Sequence, residues 1–149
     1  METSKIIISI IGLSFLGISL YTFIVYIIYI YKSKVSLFWS ITEGQIIENR
    51  KESALDGDTP SVRLVIKYKY HVEDIEYISN RIFFSSYYGL EKNKYYKKYF
   101  LGKKVMVFYN PKKHNESVLE NGLKNTLHLF LIESLFILVI ALLIIASVW

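Results

Sequence analysis

Twenty-six consecutive residues near the start of this chain, Ile6–Tyr31, include no charged side chain. As a helix rising about 1.5 Å per residue the run reaches roughly 39 Å, more than the roughly 30 Å hydrocarbon core of a bilayer. It has no polar face of the kind a core helix turns to water. Inside lipid, only a helix or a closed barrel satisfies the hydrogen-bonding groups of the backbone. The run therefore predicts a membrane-spanning helix. A secretory leader would have a shorter apolar region of about 7–15 residues followed by a small-residue cleavage site. Tyr26–Tyr31 offers no such site, so a retained anchor is expected.

A second apolar run closes the chain. Ser134–Trp149 is sixteen residues, about 24 Å as a helix, which falls short of the hydrocarbon core. The second span must start near residue 127, and this draws Glu133 into it. The expected division is a polar tail at 1–5, a span at 6–31, a domain at 36–122 and a span at 127–149. An ionisable group within a span faces protein or water and is a functional candidate by default, with snorkelling toward the headgroups as the alternative. Glu133 is one such candidate. His128, five residues earlier and about 140° around the helix, is the other. Ser9, Gly12 and Ser19 lie near one face of the first span, where small residues permit close helix approach.

Between the spans the composition changes. Residues 32–124 hold seventeen of the eighteen Lys and Arg and eleven of the thirteen acids, a balance of +6. Such a surface suits solvent, anionic headgroups or acidic partners. With no cysteine, disulfides and thiolate metal sites are excluded. His71, His114 and His128 lack metal-site spacing, and no P-loop, Gly-x-Ser-x-Gly or His-Glu-x-x-His motif occurs. No cofactor and no catalytic residue is expected.

Val62–Val72 alternates, with Val62, Leu64, Ile66, Tyr68, Tyr70 and Val72 on one face, the period-two pattern of a half-buried strand. Glu73-Asp74 turns the chain and Ile75–Phe84 is expected to return as its hairpin partner. Phe38–Arg50 reads as a strand broken at Glu43-Gly44, Lys51–Ser61 as a loop, and Lys104–Tyr109 as an apolar strand stopped by Asn110-Pro111, since proline cannot donate to a ladder. Pro111–Ser117 reads as a polar loop, Val118-Leu119 as a short strand, and Ser85–Leu90 as another loop. Glu91–Phe100 is expected to form a short helix with Tyr95, Tyr96, Tyr99 and Phe100 on one face. Within Tyr87–Lys104, six lysines mix with five tyrosines and one acid. Lys92, Lys94, Lys97, Lys98, Tyr95 and Tyr96 are therefore candidates for contact with an anionic membrane surface or a partner.

The run Tyr99–Gly122, YFLGKKVMVFYNPKKHNESVLENG, resembles the closing motif of the domain of unknown function 3592 family. Tyr99, Gly102, Val105, Val107, Phe108, Tyr109, Asn110, Pro111, Ser117, Leu119 and Gly122 occupy its positions. Trp39, Gly44 and Ile46 are similar to the family's opening, and Tyr68, Tyr70, Val72 and Tyr77 to its central hairpin. Asp74 stands where the family often has a turn glycine. The resemblance spans roughly Ser36–Gly122 and implies a compact, mostly β domain beside transmembrane helices, with no established catalysis. In that setting Trp39, Gly44, Tyr70, Gly102, Tyr109, Asn110, Pro111 and Gly122 have structural duties.

The expected fold is α+β: two transmembrane helices flanking a small antiparallel β domain, barrel- or sandwich-like. The expected function is non-enzymatic, a membrane-anchored binding or envelope-associated protein. An immunity-type protein that neutralises a membrane- or envelope-targeted toxin is the first alternative and a membrane-bound enzyme the second. Expected partners are the bilayer and a protein or a second copy, and not nucleic acid. The expected location is a bacterial inner membrane. Lys32, Lys34, Arg50 and Lys51 after the first span, and Lys112, Lys113 and Lys124 before the second, outweigh Lys5, so the β domain is expected in the cytoplasm.

Overall fold

The computed structural model describes residues 2–56, 59–84, 92–124 and 127–147. Two compact units emerge, one made of Met1–Tyr31 with Asn125–Trp149 and the other of Lys32–Lys124.

The first unit is a pair of helices. α1 spans Glu2–Val35 and α3, the last helix, spans Leu127–Ala146. Residues 2–5, expected as a polar tail, are the opening turn of α1. The buried residues of α1 in this unit, Gly12, Ser19 and Tyr26, recur every seventh position, and Ser134 and Ala141 of α3 do the same. A seven-residue repeat keeps one seam of a helix turned toward a partner helix. At that seam the Ser19 hydroxyl donates to the carbonyl of Ser134 at 2.9 Å. Tyr29 meets Phe130 edge-on at 5.9 Å. A β-carbon on Gly12 would stand 2.7 Å from Ile145, so the small residues noted along this face allow the close approach.

The second unit is a five-stranded antiparallel sheet: β1 (Ser40–Asp56), β2 (Thr59–Val72), β3 (Ile75–Ser79), β4 (Lys104–Asn110) and β5 (Lys113–Val118), in the order β3-β2-β1-β4-β5. A 3₁₀ turn, Ser36–Phe38, precedes β1, and the helix α2 (Lys92–Lys98) lies between β3 and β4. The sheet is single, and Tyr77 of β3 meets the His114 ring of β5 edge-on at 6.2 Å. Among the described residues no ladder joins these two strands, so the domain is one curled sheet.

The alternation along β2 is realised at Leu64, Ile66, Tyr68, Tyr70 and Val72, all buried, while Val62 is exposed. With Ile46, Ile82, Phe83, Tyr95, Tyr99, Val107 and Leu119 they form the core. At the β2–β3 turn both Glu73 and Asp74 have positive φ, 50° and 63°, the paired left-handed geometry of a tight hairpin.

Four further expectations, all in the β domain, are corrected. β1 does not break at Glu43-Gly44; its register slips instead between Ile46 and Glu48. The loop expected at Lys51–Ser61 is mostly strand, because residues up to Asp56 pair with β2 from Thr59 onward. β3 ends at Ser79 rather than Phe84, and Ile82, Phe83 and Phe84 enter the interior as irregular chain. Lys113–Val118, expected mainly as a loop, is the edge strand β5. The loop expected at 85–90 lies outside the described residues.

Gly44 sits in the central strand, opposite Tyr70 on one side and Val105 on the other. A β-carbon there would lie 2.7 Å from both the Lys69 carbonyl oxygen and the Val107 side chain. The first of these is backbone and cannot step aside, so overpacking costs about 1–3 kcal/mol. Gly44→Ala is expected to destabilise the fold by that amount and so to lower its denaturation midpoint, whereas Gly17→Ala, with open space around it, is expected not to lower it. Equal midpoints for the two variants would contradict this packing.

Candidate functional site

Three places carry the charged and aromatic residues of interest. The first is α2 with its following turn. Tyr95 faces inward, stacked against Tyr99 at 6.4 Å and within 5.5 Å of Phe83, so this residue, expected as an outward contact, is core. Tyr96 and Phe100, expected on the same face, are exposed. The difference follows from helix geometry: only residues four apart stay aligned with the sheet, whereas Tyr96 lies about 100° away from Tyr95. Asn49 of β1 donates to the carbonyls of Tyr96 and Tyr99, each at 2.8 Å, and so closes the C-terminal end of α2. Lys92 donates to the Val62 carbonyl and Lys98 to Glu120. Lys94 and Lys97 are exposed. Phe100 and Leu101 project beyond the helix, held by the Gly102 N–H donating to the Ile46 carbonyl at 2.9 Å. Gly102 itself has φ +80°.

The second place is α3, where Glu133 and His128 are both exposed on the helix. No hydrogen bond or ion pair joins either of them to another of the described residues.

The third place, which sequence spacing does not reveal, is the end of the sheet where the chain enters and leaves the β domain. The Lys32 ammonium pairs with Glu116 of β5 and stands 5.9 Å over the Phe84 ring. Asn110 donates to the other Glu116 oxygen at 3.1 Å and accepts from the Lys112 N–H at 2.9 Å. The guanidinium of Arg81 lies 5.5 Å from the centre of the same Phe84 ring, which meets Trp39 edge-on at 5.5 Å. Burial pushes the Glu116 carboxyl up, but the hydrogen bonds from Lys32 and Asn110 outweigh it and leave the group below its ordinary value. Pro111 and Lys112 form the turn between β4 and β5. Because Tyr109 pairs with Ser40, that turn lies at the end where β1 begins. The buried Ser36 hydroxyl accepts from the Gly122 N–H at 3.2 Å and donates to the Ser33 carbonyl at 2.7 Å. Gly122 takes φ +78°, a conformation that side chains other than glycine rarely adopt.

Beside this network Glu120 holds three donors: Lys98 at 2.6 Å, Lys124 at 2.6 Å and the Tyr99 hydroxyl at 2.8 Å. Among the described residues, no group of three or more His, Asp and Glu side chains could hold a metal ion.

A five-stranded antiparallel sheet with one short helix, carried between two helices long and apolar enough to cross a membrane, defines a small α+β class. The profile of the family described as Domain of unknown function (DUF3592) matches residues 42–124, and the chain belongs to that family. Among curated proteins no match is found. Within the matched region the motif residues serve the fold: Tyr70 is buried and donates to the His114 carbonyl at 2.6 Å, Tyr109 meets the His114 ring at 5.6 Å, and Asn110 holds Glu116.

Burial opposes ionisation of Glu120, but its three hydrogen bonds prevail and bring its pKa down to about 2 from an ordinary 4.5. A carboxyl depressed in the folded state stabilises the fold above its unfolded value and loses that contribution as pH falls through the folded one. The domain is therefore expected to lose stability progressively between about pH 4.5 and pH 2. Glu120→Gln should be less stable at neutral pH and show a flatter profile across that window. Melting curves of the two proteins that fall in parallel from neutral pH to pH 2 would rule out this role.

Proposed function

We propose that the chain is a non-catalytic, membrane-anchored binding domain of a bacterial inner membrane, with α1 and α3 as its two spans. The observation that carries this reading is the exposure of the helices. Only 11% of the most apolar stretch of each is buried, and large side chains such as Ile10, Leu13, Leu135 and Phe136 face outward. In water this would be an apolar surface far larger than the few hundred Å² that soluble monomers expose; in lipid it carries no penalty. The binding role, as opposed to catalysis, is supported by how the charges are spent. Glu120, with three donors, and Glu116, with two, tie segments of the domain to one another. The excess of lysine and arginine at the domain's two junctions supports a cytoplasmic β domain.

Two measurements test the reading. The expressed protein should stay in the membrane pellet after an alkaline carbonate wash and require detergent for release. The chain has no cysteine, so Ile78→Cys, at an exposed position of β3, provides one labelling site. An impermeant maleimide should reach it only after the cells are opened. Release by carbonate alone would sink the anchoring, and labelling in intact cells would reverse the orientation.

A further inference from the structure

The end of the β domain at which the chain enters and leaves has a surface that its interior duties do not absorb. Phe38 is 88% exposed, and Leu37 and Leu123 are exposed beside it. Leu123 follows Gly122, whose backbone lies against the Leu37 side chain and whose N–H is held by Ser36, so the two leucines leave the domain at the same end. Lys34, in the last turn of α1, and Lys112 and Lys113, at the β4–β5 turn that lies at the end where β1 begins, are exposed and without an ion pair among the described residues. The acids nearby are already neutralised: Glu116 by Lys32, and Glu120 by Lys98 and Lys124. This end of the domain therefore offers exposed apolar and unpaired cationic side chains together.

We propose that this end of the domain is a docking surface for anionic phospholipid, with Phe38, Leu37 and Leu123 bedded at the headgroup boundary and Lys34, Lys112 and Lys113 on lipid phosphates. Amphipathic surfaces rich in lysine with aromatic and leucine anchors bind such interfaces through both components. Chain connectivity supplies the second argument. Phe38 follows α1 by three residues, and Leu123 precedes α3 by four, so neither can stray far from a bilayer that holds those helices. The lysine-rich turn after α2 is a weaker candidate. Gly102 is fastened to Ile46, six residues beyond Ser40 and therefore about 20 Å farther along β1 at about 3.3 Å per residue. The proposal rests on the reading of α1 and α3 as spans.

The test uses the full chain, reconstituted into vesicles of phosphatidylcholine alone or of phosphatidylcholine mixed with phosphatidylglycerol. Single cysteines at Phe38, Leu13 or Leu101 carry an environment-sensitive fluorophore, and acrylamide reports water access. The label at 38 is expected to shift to shorter wavelength and lose most of its quenching in anionic vesicles, to do so less in neutral ones, and to revert in 1 M salt. Combined Lys34→Glu, Lys112→Glu and Lys113→Glu should abolish the shift; the salt arm needs no substitution and stands if that variant misfolds. The label at 13 should be lipid-shielded throughout and that at 101 water-exposed.

A water-exposed label at 38 beside a shielded one at 13 would overturn the docking surface and leave the spans intact. Shielding at 38 that is equal in neutral vesicles, or that persists in detergent micelles, would overturn it in favour of insertion without charge or of a protein contact. Shielding at 101 but not 38 would move the surface to the turn after α2. A water-exposed label at 13 would remove the spans, and the proposal with them.

Discussion

One buried serine joins the way into the β domain to the way out. Ser36 accepts from the N–H of Gly122, donates back to Ser33, and offers its carbonyl to the Trp39 N–H and the Asn121 amide. A neutral hydrogen bond adds only about 1 kcal/mol net, but a buried N–H left without a partner costs about 1–3 kcal/mol. The cluster therefore matters for what its loss would expose. Because β1 begins just after it and β5 ends just before it, the positions of the central strand and of one edge strand both depend on this contact. The left-handed Gly122 is part of the same constraint, since the chain must double back sharply for its N–H to reach Ser36.

The charged residues repeat that logic at lower burial. Glu116 binds β5 to the end of α1 through Lys32 and to the β4–β5 turn through Asn110. Glu120 binds α2 through Lys98 and Tyr99 and the departing segment through Lys124. Each carboxylate meets donors from segments far apart in sequence, so ion pairs that would be worth little individually on an open surface act here as networks. The Glu48, Arg50, Glu52 and Lys67 group on the β1–β2 arm is linked in the same way, but its carboxylates are more open to solvent than Glu116 and Glu120 and its contacts stay within two neighbouring strands.

The two apolar helices, the alternation of β2 and the Glu73-Asp74 turn were legible because each is a local pattern. The distal half of β1 was not, since residues 50–53 pair on one side only and are largely exposed; a strand wet on both faces has no hydrophobic period. β5 does alternate, but with polar side chains. His114 and Glu116 are half-buried between exposed Lys113 and Asn115, and their partners are aromatic rings and a lysine rather than aliphatic groups. Ile82–Phe84 misled in the other direction, because an apolar run resembles strand whether or not its backbone is regular. The Lys32–Glu116 contact spans 84 residues, and nothing in the spacing of either residue announces it.

The layout of the strands also bears on the order in which the domain assembles. β1, β2 and β3 follow one another through short connections and form neighbouring ladders, so each closure is local and loses little chain entropy. Adding β4 to the other side of β1 brings Gly44 to Val105, across an intervening segment that includes α2. Loop closure of that kind costs more and is slower. The three-stranded meander is thus the part able to form early in synthesis, with the open side of β1 waiting as a template. Until β4 arrives that side is an unpaired strand edge, and the window in which the chain is vulnerable to misplaced pairing is set by how quickly residues 104–110 can reach it.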